Sequence, residues 1–185
     1  MRSVVLASES PRRRELMNIT GIPFYTQAAK IDETFNTSLS VEEGVMDLAL
    51  RKALKVLETK QDELVIGADT IVVVDNEILG KPKDVEDAYR MLRLLSNRTH
   101  RVITGVAIVN KDVQKTFYEV TEVTFDDLSE ETMDWYIKSR EYYDKAGGYG
   151  IQGKGMILVE KINGDYFNVV GMPMHRLVKE LKAFI

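Results

Sequence analysis

The chain has 185 residues, enough for a substantial hydrophobic core, and we expect residues 1–185 to form a single domain. Hydrophobic residues make up 44% of the chain and charged residues 29%, which is ordinary for a soluble globular protein. A net charge of −4 provides no bulk attraction to nucleic acid or to an anionic membrane, so we expect neither as a partner.

The absence of cysteine excludes disulfides and thiolate catalysis and fits a reducing compartment. The apolar part of Met1–Ala7 is too short for a signal peptide and is more typical of a first strand. No run approaches the roughly 18 apolar residues of a membrane span. We therefore expect a cytoplasmic protein.

The first helix is predicted to begin soon after the strand Ser3–Ala7. Ser10 is suited to cap this helix, and Pro11 is suited to its first position. Arg12–Arg14 crowd the first turn, where the helix dipole is already positive, so a bound anion would relieve their repulsion. Free N–H groups, hydroxyls and guanidinium groups together favour a phosphate site. The alternative is that these arginines simply point into water.

Residues 20–40 are predicted to form loops and short extended segments, in which the acidic pair Asp32-Glu33 alone is typical of a solvated turn. Ser40 begins a capping box that opens a helix to about Thr59. Lys52 falls within the apolar stripe of this helix. Its side chain either extends to water along its own stem or reaches an anion at the edge of the core, and we favour the second interpretation.

The stretch Leu64–Pro82 predicts a buried strand, a tight turn at Asp75-Asn76 and a short returning strand. Asp69 lies among apolar β-forming residues, where a carboxylate is costly to bury unless a partner compensates its charge. If the two arms pair as a hairpin, Asp69 and Lys81 lie near one end of it. Such a pair is either a buried ion pair or part of a functional site.

The next elements are predicted from caps and alternating patterns. Asp84 caps a helix that ends near residues 96–97, and Thr99–Val109 and Gln114–Phe125 are predicted as two long strands. Ser129 caps a further helix, in which we interpret Trp135 as a packing residue.

Five glycines occur in Asp144–Gly155, which we call the glycine segment. They either let the backbone approach a ligand closely or make a floppy loop, and Gln152 within the run favours a ligand wall. Met156–Lys161 and Asp165–Val170 are predicted as a last hairpin, and Pro173 as the start of a C-terminal amphipathic helix.

The residue types exclude several chemistries. Only two histidines and no cysteine are present, which argues against an ordinary zinc site, and no G-x-S-x-G or Walker A motif occurs. What remains is a set of cations facing a few carboxylates, namely Arg12, Arg13, Lys52 and Lys81 with Asp69, Glu33 and Asp144. This combination suits a polyphosphate held with Mg²⁺ and indicates phosphate-ester or anhydride chemistry in a cleft.

Five motifs stand in the order and spacing of a known family: ASESPRR at Ala7–Arg13, GADT at Gly67–Thr70, GKP at Gly80–Pro82, TEV at Thr121–Val123 and DKAGGYGIQG at Asp144–Gly153. Over almost its whole length the chain resembles the Maf proteins, which are septum-formation-associated nucleotide pyrophosphatases. The resemblance implies an α/β fold of the Maf/Ham1 (ITPase-like) type, with a mixed, curved sheet flanked by helices and two lobes around a central cleft.

The resemblance also implies hydrolysis of a nucleoside triphosphate to the monophosphate and pyrophosphate, with Mg²⁺ or Mn²⁺. Thr70 and the run Tyr149–Gly153 favour the branch acting on dTTP and UTP over the branch resembling 7-methyl-GTP pyrophosphatases. Modified pyrimidine nucleotides, a house-cleaning role, a link to septum formation and a homodimer are further implications.

The family's functional positions match nine residues of this chain. Asp69 resembles the general base or metal-linked carboxylate, and Glu33 the metal-binding acid. Lys52 and Lys81 would stabilise charge on the leaving pyrophosphate. Ser8 and Arg13 would hold phosphates with them. The positions that lie near the nucleobase in the family match Arg12, Thr70 and Gln152.

Two other classes compete with a pyrophosphatase. A nucleotide-binding regulator without turnover would use the same cleft and act through a protein partner. A general nucleic-acid binder is the weaker alternative, because the net charge is negative.

Overall fold

The structure, a computed structural model, describes residues 3–184 and has a mixed α/β fold. Its strands are β1 (Val4–Leu6), β2 (Phe24–Thr26), β3 (Leu64–Val74), β4 (Glu77–Leu79), β5 (Thr99–Val109), β6 (Gln114–Phe125) and β7 (Val159–Asn163). Its α-helices are α1 (Pro11–Ile19), α2 (Val41–Leu57), α3 (Val85–Leu95), α4 (Glu130–Lys138), α5 (Tyr166–Val170) and α6 (Met174–Leu181). Short 3₁₀ turns occupy Ala146–Gly148 and Gly153–Leu158. The strand order is β2-β1-β3-β5-β6-β7, and β4 pairs with β3.

Residue contacts divide the chain into two compact units. The first contains the residues up to Asp69, Thr104–Glu119 and the residues from Gly171 onward. The second contains Thr70–Ile103 and Val120–Val170. That residues 1–185 form one domain stays a prediction.

The first unit is built on parallel strands. Strand β1 pairs with both β2 and β3 in parallel, with Val4 opposite Phe24 on one side and Leu64 on the other. All of β1 and the first five residues of β3 are buried, as expected for parallel strands covered on both faces. The core of this unit combines these strands with α2 and the end of β5: Val5, Ala7, Ala49, Ala53, Val56, Val65, Ala107 and Val109.

Helix α2 begins at the predicted capping box. The Ser40 Oγ accepts the Glu43 N–H at 3.2 Å, and the Glu43 carboxylate accepts the Ser40 N–H at 2.9 Å. The helix packs closely on β3 at Gly67, where a side chain would overlap its backbone. This close approach sets the position of Lys52, which lies on the buried face of α2.

The second unit contains two antiparallel pairs. Within β3 and β4, Val72 pairs with Leu79 around a turn at Asp75, whose φ of 52° is in the left-handed region. Strand β7 pairs with β6, with Glu122 opposite Asn163. The core lies mainly between α3, α4 and these strands and includes Val72, Leu79, Met91, Leu92, Leu95, Val123, Phe125, Met133, Tyr136, Tyr149 and Leu158.

The predicted last hairpin is wrong in its second arm. Only β7 is a strand, whereas Tyr166–Val170 forms the short helix α5. The Asp165 carboxylate accepts the Phe167 N–H at 2.8 Å and starts the turn. The buried Asn168 amide then donates to the Val102 carbonyl and to Thr121 Oγ1, each at 3.0 Å, which holds the segment as a helix.

The interpretation of Trp135 as a packing residue is also wrong. Its side chain is 45% exposed, because the buried face of α4 consists of Met133, Tyr136 and Ile137. The Lys154 ammonium lies 5.3 Å from the centroid of the Trp135 ring, a cation–π distance.

Candidate active site

A buried lysine joins two carboxylates in the first unit. Lys52 is only 8% exposed, and its ammonium lies 2.6 Å from Asp69 Oδ1 and 2.8 Å from Glu33 Oε1. The interpretation that Lys52 reaches an anion rather than water is therefore confirmed. One cation is shared by two acids, which leaves a compact cluster of net negative charge.

The surroundings of Asp69 explain why a carboxylate is tolerated within β3. Its side chain is 14% exposed, and the residue before it, Ala68, is fully buried. A carboxylate in such a place is strongly destabilising without a counter-ion, which Lys52 supplies. Glu33 differs because its side chain is 53% exposed, so water also solvates it.

Arg13 is held beside this cluster by backbone carbonyls. Its Nη1 donates to the Ala68 carbonyl at 2.8 Å, and its Nε donates to the Gly171 carbonyl at 2.9 Å. Burial lowers the pKa of Arg13 below its ordinary value, and the nearby Asp69 carboxylate acts in the opposite direction. The guanidinium still stays charged, because arginine does not lose its proton in proteins. The structure therefore holds a fixed cation next to Asp69.

Ser8 and the start of α1 complete the group in the first unit. The Ser10 side chain caps α1 by accepting the Arg13 N–H, with Pro11 at the first position, as predicted. Ser8 is 9% exposed, and its hydroxyl accepts the Ser10 N–H at 3.2 Å and lies 3.5 Å from Arg13 Nη1. Arg12 is half-buried in the first helical turn.

A cavity of about 330 Å³ opens in the first unit at the start of α1. Of the predicted phosphate ligands, Ser8 lines it. Its other lining residues are Glu9, Ser10, Arg14, Thr26 and Ala28. Among them, Ser10 was predicted as the cap of α1 and Arg14 as part of the arginine run in its first turn, whereas no role was predicted for Thr26 or Ala28.

The other three predicted site residues belong to the second unit. Thr70 follows Asp69 in β3 and is partly buried. Lys81 is exposed in the segment between β4 and α3, and Gln152 is partly buried just before the second 3₁₀ turn. The structure thus brings together Ser8, Arg13, Glu33, Lys52 and Asp69 within one unit. The convergence of Lys81, Thr70 and Gln152 on the same substrate stays a prediction.

The glycine segment packs against other residues of the second unit and does not form an open loop. The Gly147 N–H donates to the Gly80 carbonyl at 3.0 Å, and its φ of 71° is one that glycine adopts readily. A Cβ on Gly147 would lie 2.9 Å from Val72, and one on Gly150 would lie 2.6 Å from Lys145. These two glycines therefore permit close approach of the backbone to Val72 and Lys145. Close approach to a ligand stays a prediction.

The acidic residues fit a divalent metal only in part. Among residues 3–184, no group of three or more acids or histidines is arranged to hold a metal ion. Asp69 and Glu33 nevertheless converge on one point, now held by the Lys52 ammonium. Mg²⁺ often takes one or two carboxylates from the protein and fills its shell with water and substrate phosphates, so this donor pair fits a metal that binds together with a nucleotide.

Across residues 3–184, the helices are too short or too polar to cross a membrane.

Comparison with known proteins identifies the family. Proteins named dTTP/UTP pyrophosphatase from Bacillus cereus and Bacillus anthracis are 54% identical to this chain over 184 residues, covering 100% of it and 96% of each relative. The Ham1 protein of Staphylococcus aureus superposes with a TM-score of 0.50 at 16% identity, over 68% of this chain and 73% of that one, and confirms the expected α/β fold type. The model of the family described as "Maf-like protein" matches residues 3–184, and the chain therefore belongs to the Maf family.

Proposed function

We propose that this protein is a nucleoside triphosphate pyrophosphatase that hydrolyses dTTP and UTP to the monophosphate and pyrophosphate. Relatives that share 54% of its residues over its whole length carry that name. The observation that carries the proposal is the Lys52 ammonium held between Asp69 and Glu33, 2.6 and 2.8 Å from their carboxylate oxygens. Buried ionic clusters of this kind are costly for folding, which favours a chemical role.

The triphosphate is proposed to bind through cations. Arg13, whose guanidinium is fixed by two carbonyls, is a planar donor suited to phosphate oxygens. The Ser8 hydroxyl lies within its reach and lines the neighbouring cavity. Lys52 supplies a point charge in the same unit. Lys81, which is exposed in the second unit, is assigned to the phosphates on the family resemblance.

The reaction requires one water molecule and one carboxylate. The Asp69 carboxylate orients the water and takes its proton as the oxygen bonds to the α-phosphorus. The bond between this phosphorus and the oxygen that bridges to the β-phosphate breaks, and pyrophosphate leaves with the electron pair. The Lys52 and Lys81 ammonium groups stabilise the charge that develops on the leaving group.

A divalent cation, Mg²⁺ or Mn²⁺, is part of the proposal. Asp69 and Glu33 would hold it together with the phosphates, and when bound it would neutralise charge on the phosphate oxygens. Since Lys52 shares these carboxylates, its ammonium would turn toward the phosphates as the nucleotide binds.

Recognition of the nucleobase is assigned to Arg12, Thr70 and Gln152. The amide of Gln152 offers an acceptor for the N3–H of uracil or thymine and a donor for their C4 carbonyl. Cytosine presents the reverse pattern at these positions. An amide that rotated freely would match both patterns, so discrimination requires that Gln152 is held in one orientation.

A cytoplasmic location and a homodimer complete the proposal, together with a house-cleaning role toward modified pyrimidine nucleotides and a link to septum formation. These features rest on the resemblance to the Maf family.

The test is a product assay with purified protein. UTP, dTTP, CTP, ATP and GTP are each incubated with the protein, with and without Mg²⁺ or Mn²⁺, and monophosphate and pyrophosphate are quantified. We expect equimolar UMP or dTMP and pyrophosphate, many turnovers per protein molecule, and loss of product without metal. The Asp69→Asn variant should fold normally, because its amide still accepts from Lys52, but should lose turnover. Binding of nucleotide without product would instead favour the regulator.

A further inference from the structure

We propose that His100 and Tyr149 are positioning residues that hold the glycine segment so that Gln152 discriminates uracil and thymine from cytosine. This inference rests on the proposed function. It assigns a specificity role to a buried, hydrogen-bonded pair in the second unit.

The pair is joined by one short hydrogen bond. His100 Nε2 lies 2.7 Å from the Tyr149 hydroxyl, and the two side chains are 2% and 5% exposed. His100 Nδ1 has no hydrogen-bond partner within residues 3–184, so this bond is the polar contact of the imidazole ring there. A buried polar group that loses its partner is strongly unfavourable, and the bond therefore ties the two residues together.

Aromatic packing sets the geometry of the pair. The Phe125 ring lies 4.6 Å from the Tyr149 ring and 5.0 Å from the His100 ring, each in an edge-to-face arrangement. Replacing the tyrosine by phenylalanine would preserve these ring contacts and remove the hydrogen bond alone. Burial lowers the pKa of His100 to about 4 and raises the pKa of Tyr149, so both groups are neutral near pH 7.

Tyr149 is placed to anchor the glycine segment. Gly147 and Gly148, directly before it, both have positive φ angles and no side chains to hold them. Three residues after Tyr149 comes Gln152, and Gly153 beyond it has a φ of 63°. The Gly147 and Gly148 N–H groups donate to the Gly80 and Lys145 carbonyls, and the buried Tyr149 side chain adds a side-chain anchor directly after them.

The far end of the run is fixed separately. The Glu141 carboxylate accepts the Lys154 N–H at 2.9 Å. Gln152 therefore lies between two attached points, Tyr149 on one side and Lys154 on the other. Weakening either point would loosen the backbone that carries Gln152, so that the side chain would no longer be presented in one orientation. An amide that rotates accepts cytosine as readily as uracil.

The experiment compares Tyr149→Phe with the matched control Tyr89→Phe. In the wild type, the Tyr89 hydroxyl donates a short hydrogen bond to Asp134, at 2.6 Å, which the substitution removes. Tyr89 belongs to the second unit but lies outside the glycine segment. For each protein, kcat and KM are measured with UTP and CTP at one metal concentration. We expect Tyr149→Phe to raise KM for UTP roughly tenfold and to lower the UTP/CTP ratio of kcat/KM by a similar factor, about the worth of one hydrogen bond, while kcat changes little. Tyr89→Phe should leave the ratio unchanged.

Two histidine variants test the other partner. His100→Gln keeps a hydrogen-bonding group and should retain much of the discrimination, whereas His100→Leu should lose it. A Tyr149→Phe protein that keeps the wild-type ratio and differs only in melting temperature would overturn the inference, since packing alone would then explain the pair. Loss of kcat at unchanged KM would overturn it as well.

Amide hydrogen exchange separates this inference from the proposed function. We expect faster exchange at residues 150–153 in Tyr149→Phe than in the wild type or in Tyr89→Phe. Unchanged exchange there would contradict the positioning role whatever the enzyme assay shows. A wild-type protein that turns over no pyrimidine triphosphate would refute the proposed function, and with it the specificity role.

Discussion

Gly67 in β3 and Ala49 in α2 are so close that no side chain fits between them. A Cβ on Gly67 would overlap the Ala49 carbonyl oxygen and lie 2.9 Å from the Ala53 nitrogen. This contact sets the distance between helix and strand at the level of the charged cluster. It thereby allows Lys52, three residues after Ala49, to reach Asp69, two residues after Gly67.

The Gly67→Ala substitution should destabilise the protein by about 1–3 kcal/mol, because backbone rather than a flexible side chain would have to move. Turnover should fall as well, since Lys52 and Asp69 would shift relative to each other. Urea denaturation and the pyrophosphate assay measure the two effects. Gly80→Ala is the stability control, because a Cβ at Gly80 meets no described atom within 4 Å. Equal stability of the two variants would contradict the tight packing.

Lys52→Ala and Lys81→Ala should each lower kcat by on the order of 10²–10³, if each ammonium stabilises charge on the leaving pyrophosphate. Lys55→Ala is the matched control: this lysine lies on the same helix, pairs with Glu58 and is half exposed. Its turnover should stay close to that of the wild type. Wild-type rates for both Lys52→Ala and Lys81→Ala would refute their roles.

Metal binding should depend on the nucleotide. Since the Lys52 ammonium already holds Asp69 and Glu33, we expect Mn²⁺ to bind weakly to the free protein and more tightly with a non-hydrolysable UTP analogue. Titration calorimetry or electron paramagnetic resonance of Mn²⁺ measures both affinities.

The Lys52→Gln variant checks the cause of this coupling. It removes the competing charge and should bind Mn²⁺ more tightly than the wild type in the absence of nucleotide. Tight binding of Mn²⁺ to the free wild-type protein, unaffected by this substitution, would show that Lys52 does not compete with the metal.

Acid should destabilise the protein partly through His100. Burial lowers its pKa from the ordinary value of 6.5 to about 4. Between these values the unfolded chain binds a proton that the folded protein excludes. The contribution of His100 to the free energy of unfolding is therefore fully present above pH 6.5 and is lost as the pH falls toward 4. From pH 7 to pH 5 this amounts to about 2 kcal/mol.

Urea denaturation at several pH values tests this contribution. The His100→Gln variant should lack it and show a shallower loss of stability between pH 7 and pH 5. His175→Gln, at an exposed histidine, serves as the control and should follow the wild type. Parallel pH profiles for the wild type and His100→Gln would refute the assignment.

Short-range signals in the sequence predicted most elements correctly. The caps at Ser10, Ser40, Asp84 and Ser129 all begin helices, because a cap depends on a hydroxyl or carboxylate and the N–H groups two or three residues ahead. The error at 165–170 has a long-range cause. There the hydrogen bonds from Asn168 to Val102 and Thr121 override an apolar pattern that alone favours a strand.

The partners of the candidate site residues were less accessible from the sequence. The burial of Lys52 was indicated by its place in an apolar stripe, but the stripe does not reveal that Glu33 joins Asp69 on its ammonium. Nor does any local pattern indicate that Arg13 donates to carbonyls 55 and 158 residues away. These contacts depend on which elements pack together.

The sequence by itself determined where most helices and the long strands begin, which faces are apolar, and that phosphate chemistry suits the charged residues. Each of these depends on neighbours within a few positions. The tertiary structure decided which charges meet. Lys52, Asp69, Glu33 and Arg13 come together through the packing of α2 on β3 and of α1 beside them, and His100 meets Tyr149 in the same way. Ion pairs and buried hydrogen bonds act over a few ångströms, and only folding brings residues so distant in the chain within that range.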